Sequence, residues 1–136
     1  MAWLGRFDRS VGETALYLER IGCPPEIITR VLQRLQEQHL LDDERFALNR
    51  AQAWARRGYG RLRAGADLAA RGVDEAQIAR ALQASFADER ERAREIVGRR
   101  FPHARADVRE RARAARFLLS RGFPEEVVLA ILGEGC

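Results

Sequence analysis

Arg50, Arg56, Arg57, Tyr59, Arg61 and Arg63 fall within fourteen consecutive residues that contain no acid. Guanidinium groups at such density can grip carboxylates or phosphates through two parallel hydrogen bonds. A second group, Arg99, Arg100 and Arg105, lies further on, with Arg100 placed 50 residues after Arg50. The plainer alternative for each is a solvated face with cations at helix C-termini. All 24 basic residues are arginine. That excludes a Schiff-base lysine, a phosphate-loop lysine and a lysine general base.

The other chemistry-bearing residues reduce to structural roles. Asp42, Asp43 and Glu44 stand where a helix begins. Consecutive carboxylates there do not converge on one ion, and they suit the unpaired N–H groups and positive dipole end. Gly58-Tyr59-Gly60 lacks the third glycine and the preceding strand of a phosphate loop and reads as a helix stop and turn, with Tyr59 half-buried or contacting a partner. Cys23 reads as a small buried hydrophobe and Cys136 as an exposed thiol. His39 and His103 each stand without a companion at metal spacing. No nucleophile–base pair or carboxylate dyad can be assembled. The chain therefore reads as a non-enzyme, with no cofactor, no metal and no small-molecule substrate.

The composition is 46% hydrophobic and 32% charged, enough to bury a core and cover it. A net charge of +4 permits an acidic partner without demanding one. Two cysteines make no disulfide framework, MAWLGRFDRS contains no apolar signal core, and no apolar run reaches membrane-spanning length. The expectation is a cytoplasmic protein that does not enter a membrane.

Helical periodicity accounts for the whole chain, in about nine segments. Trp3, Leu4 and Phe7 read as the tail of a helix. Ser10 caps the next, with Val11, Ala15 and Leu18 recurring on one face. Ile27/Ile28, Val31/Leu32 and Leu35 follow Pro24-Pro25. Asp42 caps a helix over about 42–57, with Leu41 and Phe46 stapling its entry and Gly58 ending it. A short helix runs to Arg71, and Asp74 caps the next, with Ile78, Ala81 and Leu82 facing inward. Phe86–Arg100 keeps Phe86, Ala93 and Ile96/Val97 on one side until Pro102. Val108, Ala112, Ala115 and Leu118/Leu119 mark a long helix, and Val127/Val128 with Ile131/Leu132 mark the last.

These helices repeat. Gly22, Gly72 and Gly122 are spaced by 50 residues; Leu18, Leu68 and Leu118 stand four before them, and Leu32, Leu82 and Leu132 ten after. Ala15, Gly65 and Ala115 offer a small residue at one position; Cys23, Val73 and Phe123 offer a staple at another. A fixed period of this size is the mark of a repeat array. The expected fold is all-α: three tandem three-helix units over 1–41, 42–85 and 86–136, elongated and curved. The first unit would lack the front of its opening helix.

LLDDERFA, followed by arginines and RGYG, then LAARGVDEAQI, resembles the RecX regulatory proteins of bacteria. The tail RARAARFLLSRGFPEEVVLAIL resembles them too, and the likeness runs from about Ala15 to Leu132. The resemblance implies tandem three-helix repeats that bind the RecA recombinase filament. It implies modulation, usually inhibition, of RecA ATPase and strand exchange in DNA repair, recombination and the SOS response. Family members usually carry proline after the second glycine of the turn and a bulky aliphatic three residues later; Arg61 and Ala64 stand there in this chain. The rival reading is direct, sequence-independent binding of single- or double-stranded DNA through arginines at the helix joints. On either reading the partner contacts fall to Arg50, Arg56, Arg57, Tyr59, Arg61, Arg63, Arg99, Arg100 and Arg105.

Overall fold

The computed structural model describes residues 9–133. Eight helices occupy them: α1 (Val11–Arg20), α2 (Pro25–Glu37), α3 (Asp43–Arg56), α4 (Arg61–Ala70), α5 (Glu75–Ser85), α6 (Glu89–Arg100), α7 (Val108–Ser120) and α8 (Glu125–Leu132). No strand occurs among the described residues. Trp3, Leu4, Phe7 and Cys136 lie outside the described residues.

Local chemistry sets the helix ends. Ser10 and Glu13 close a reciprocal capping box on α1. Asp42 accepts hydrogen bonds from the Glu44 and Arg45 N–H groups at 3.1 and 3.2 Å, satisfying donors that have no partner inside α3. Asp74 and Asp107 cap α5 and α7 in the same way. The chain leaves α3 through Gly58 at φ +86°, and Gly22, Gly72 and Gly122 take the same left-handed conformation at φ +90°, +84° and +88°.

Two hydrophobic cores follow. Phe46, Ala47, Ala51 and Ala55 of α3 pack with Ala64, Leu68, Val73 and Ala81. Ala93 and Ile96 of α6 pack with Ala104, Ala114, Leu118, Phe123, Val127, Val128 and Leu132. The first pair, α1 and α2, is less well covered: Ile28 is buried, while Ile21 (58% exposed), Leu16 and Ile27 face outward.

The sequence pattern misplaces some faces. Val108 is 75% exposed and Ala112 also faces solvent; Ala114 and Leu118 form the buried stripe of α7. The tightest small position is one residue earlier than expected. Thr14, Ala64 and Ala114 are all buried, whereas Ala15, Gly65 and Ala115 are half-buried. Phe86 does not open α6. It caps the C-terminus of α5 and is buried in the core of α3–α5, because α6 starts only at Glu89. Cys23 is half-buried where its counterparts Val73 and Phe123 are buried.

The joints between units repeat as faithfully as the units. The Ser10 hydroxyl donates to the Arg71 carbonyl oxygen, and fifty residues on the Gly60 N–H donates to the Arg121 carbonyl at 2.8 Å. Val11 N–H donates to Asp43 Oδ1 at 2.8 Å; Arg61 N–H donates to Glu89 Oε2, also at 2.8 Å. A proline at position 61 would have no N–H to give Glu89. The second joint is the closer one: a Cβ on Gly60 would meet the Gly122 backbone at 2.5 Å, whereas one on Gly12 would lie 3.2 Å from Gly72. Leu62 N–H adds a second main-chain bond there, to the Gly122 carbonyl at 2.9 Å.

Candidate functional site

Arg50, on the third turn of α3, points its guanidinium across to α4. Its Nε lies 2.7 Å from Asp67 Oδ2. Arg71 reaches the other oxygen of the same carboxylate, Nε to Oδ1, at 3.0 Å. Trp54 Nε1 donates to Asp67 Oδ2 at 3.1 Å, and Arg71 Nη1 continues to Glu13 of α1 at 2.8 Å. Asp67 is thus clasped between two arginines. Burial pushes its carboxyl upward, but the hydrogen bonds from Arg50, Trp54 and Arg71 outweigh this and hold it below the ordinary 3.8.

Fifty residues later the same register holds Arg100, Phe117 and Arg121. Arg100 Cζ lies 4.3 Å from the centroid of the Phe117 ring and Arg121 Cζ lies 4.8 Å from it. The arginine pair is retained, and a phenyl ring replaces the carboxylate between its members. The contact is favourable through the ring quadrupole, but it leaves both positive charges uncompensated.

Arg121 also reaches across the second joint, 4.6 Å from the Tyr59 ring. Trp54 and Tyr59 meet edge to face, 5.0 Å apart with planes at 78°. Arg57 lies over the same two rings at 5.3 and 5.9 Å and Arg63 at 5.3 and 5.4 Å. Between the α3–α4 turn and the α6–α7 pair opens a cleft of about 270 Å³ lined by Gly58, Ile96, Arg99, Arg100, Phe117 and Arg121. Ile96 and Phe117 are its apolar walls and the three arginines its polar ones. Among the described residues no carboxylate lies within ion-pairing distance of Arg57, Arg63, Arg99, Arg100 or Arg121.

The structure brings only some of the arginines and the tyrosine singled out by sequence together. Arg57, Tyr59 and Arg63 come together with Arg99 and Arg100 on one seam, bridged by Arg121. Arg50 is engaged with Asp67 and lies beside Phe46. Arg61 faces elsewhere: its guanidinium pairs with Glu89 and Glu126 and lines a different cleft of about 360 Å³. Burial raises the Glu89 carboxyl above 4.5, against the lowering by the Arg61 N–H and charge. Arg105 is also apart from the seam, exposed on the α6–α7 connection, where its carbonyl accepts from Arg111. Arg56 is exposed on the last turn of α3.

Sequence reasoning missed Trp54, Asp67, Phe117 and Arg121. The signal was present in the period: 50, 67 and 71 map onto 100, 117 and 121. Comparing side chains at equivalent repeat positions, rather than scanning for runs of charge, would have found it.

No described helix is long and apolar enough to cross a membrane. Comparison with known proteins agrees with the geometry. The family model of the second three-helix domain of RecX matches residues 42–82, and that of the third matches 88–132. "Regulatory protein RecX" of Pseudomonas savastanoi pv. phaseolicola is 37% identical over 97% of this chain and 86% of its own. The protein of the same name from Chromohalobacter salexigens is 37% identical over 92% and 82%. The crystal structure of a regulatory protein RecX superposes with a TM-score of 0.78 at 24% identity, covering 98% of this chain and 69% of that one. RecX from Lactobacillus salivarius gives 0.71 at 20%, covering 90% and 82%; these two likenesses speak for the fold. With two matched three-helix domains and 37% identity over 97% of its length, the chain belongs to the RecX family of regulatory proteins.

Proposed function

We propose that this chain binds the RecA recombinase filament in the cytoplasm and modulates, chiefly inhibits, its ATPase and strand exchange during DNA repair and recombination. It catalyses no reaction of its own; it acts by occupying the filament. The observation that carries the reading is family membership combined with a seam of five arginines that have no carboxylate partner among the described residues. Such a seam favours an acidic surface through both encounter rate and bidentate contacts. Arg57, Tyr59, Arg63, Arg99 and Arg100 are the contact residues on this reading, with Arg121 added. The test is addition of the protein to RecA on single-stranded DNA, following ATP hydrolysis and filament length. Reduced hydrolysis or shortened filaments are expected; no change at several-fold molar excess over RecA overturns the reading.

The same uncompensated arginines favour a second reading, direct binding to DNA phosphates. Retardation of bare DNA that weakens steeply with salt would support it, since each neutralised phosphate adds to the salt slope. Binding confined to RecA-coated DNA supports the first reading.

A further inference from the structure

The middle and last units hold arginine pairs at equivalent positions, and the middle unit shows what such a pair accommodates. Arg50 and Arg71 hold the two oxygens of one carboxylate, Asp67, at 2.7 and 3.0 Å. Their counterparts Arg100 and Arg121 have Phe117 in the place of that carboxylate and, among the described residues, no acid within ion-pairing distance.

We propose that the last unit's clasp takes its carboxylate from a partner: an acidic peptide segment whose Asp or Glu engages Arg100 and Arg121. A neighbouring apolar side chain of that segment enters the cleft against Ile96 and Phe117. The proposal rests on the reading of this chain as a partner-binding regulator and names the chemistry of the contact.

Three features favour a peptide over a nucleic acid. The cleft, at about 270 Å³, suits a side chain, and its walls include Ile96 and Phe117, for which a sugar–phosphate backbone has no apolar counterpart. The Tyr59 and Trp54 rings, which could have stacked bases, already carry the guanidinium groups of Arg57 and Arg63 at 5.3–5.9 Å. Arginines resting on rings are held with their forks oriented, which suits carboxylate recognition. Arg99 and Arg100 on the α6 side and Arg57 and Arg63 on the α3–α4 side then present positive charge to the acids flanking the apolar anchor.

The experiment uses the full chain and a short synthetic peptide carrying one leucine flanked by Asp and Glu, followed by fluorescence anisotropy. The controls are the same peptide with Asn and Gln in place of the acids, and an oligothymidine. The key variant is Phe117→Asp, which builds the middle unit's carboxylate into the last unit and neutralises the clasp from within. Acidic-peptide affinity should fall at least about tenfold in Phe117→Asp. It should fall similarly in the exposed double variant Arg99→Glu/Arg100→Glu, which keeps the test valid if the first variant misfolds. The charge-matched double variant Arg30→Glu/Arg34→Glu on α2 should bind as the parent does. Equal binding of the uncharged peptide, unchanged affinity in the Arg99/Arg100 variant, or preference for oligothymidine would each overturn the proposal. RecA ATP hydrolysis, measured in parallel, separates the two claims. A parent chain that inhibits RecA but ignores the acidic peptide refutes this inference alone. One that binds the peptide but leaves RecA unaffected refutes the functional reading alone.

Discussion

The clasp of the middle unit is closed and that of the last unit is open, although the two share a backbone and a pair of arginines. In the first, Asp67 collects Arg50, Arg71 and Trp54 into a network that continues to Glu13 across the first joint. In the second, Phe117 supports Arg100 and Arg121 without neutralising them, and the seam continues across the second joint to Tyr59. One substitution within a repeat thus separates an internal strut from an available surface. Charge that folding has already satisfied contributes to stability; charge left over is free to contribute to recognition.

The largest way to disturb this contrast is to part the joint that assembles the open seam. Gly60→Ala places a methyl group 2.5 Å from the Gly122 backbone, where nothing flexible can yield. A loss of about 3 kcal/mol is expected in denaturant unfolding, at the upper end for overpacking. At the first joint the equivalent residue, Ser10, already carries a side chain. Its replacement by alanine removes a cap and the bond to Arg71, for a loss of about 1 kcal/mol.

Opening the closed clasp comes next. Asp67→Asn should cost about 2 kcal/mol, as hydrogen bonds from two guanidinium groups and an indole lose their charged acceptor. The parent's pH profile carries the same information. Because the Asp67 carboxyl is held below 3.8 in the folded chain, its contribution is complete above that value and is lost as pH falls through the folded value. The Asn variant should lack this acid-limb loss in thermal unfolding.

Closing the open clasp with Phe117→Asp should have a smaller net effect on stability, about 1 kcal/mol. Lost aromatic packing is partly offset by new ion pairs to partly exposed arginines. The informative sign is a loss of stability, as pH falls through the carboxylate range, that exceeds the parent's.

The smallest effect distinguishes the clasp from the adjoining joint. Glu89 is only 3% exposed and its carboxyl is raised above 4.5, the opposite direction from Asp67. Its folded form therefore retains a proton that the unfolded form has lost, and stability falls as pH rises from 4.5 through the raised value. Glu89→Gln keeps an oxygen for the Arg61 N–H and should flatten that decline. A profile identical to the parent's would mean that Glu89 does not titrate out of step with the unfolded chain.

What the amino-acid order reveals depends on whether the determinant is local or lies across the fold. Asp42, Gly58 and Asp74 act on residues a few positions away, so capping chemistry places those helix ends without further information. The fifty-residue period likewise exposes the units, since Leu68 and Leu118 meet equivalent surroundings. The seam was harder to see. Runs of arginine drew attention to Arg50 and Arg61, yet both are occupied: one by Asp67, seventeen positions away, the other by Glu126, sixty-five away. Arg121 sits beside a turn glycine with no other cation next to it, and only the folded joint brings it to Tyr59. Phe86 shows the same limit, since an apolar residue between two helices fits either core until the helix start at Glu89 settles the matter.

The second joint is crossed by two main-chain hydrogen bonds, Gly60 and Leu62 to the carbonyls of Arg121 and Gly122, beside the Arg61 contact with Glu89. Provided Gly60 and Gly122 stay glycine, such bonds hold the relative pose of two units whichever side chains line the neighbouring cleft. The register of Arg121 above Tyr59 is therefore inherited from the backbone, while the residues around the cleft can be exchanged one at a time. On the proposed binding role, mutational drift at this seam would retune what it recognises without re-aiming it, a separation of specificity from geometry.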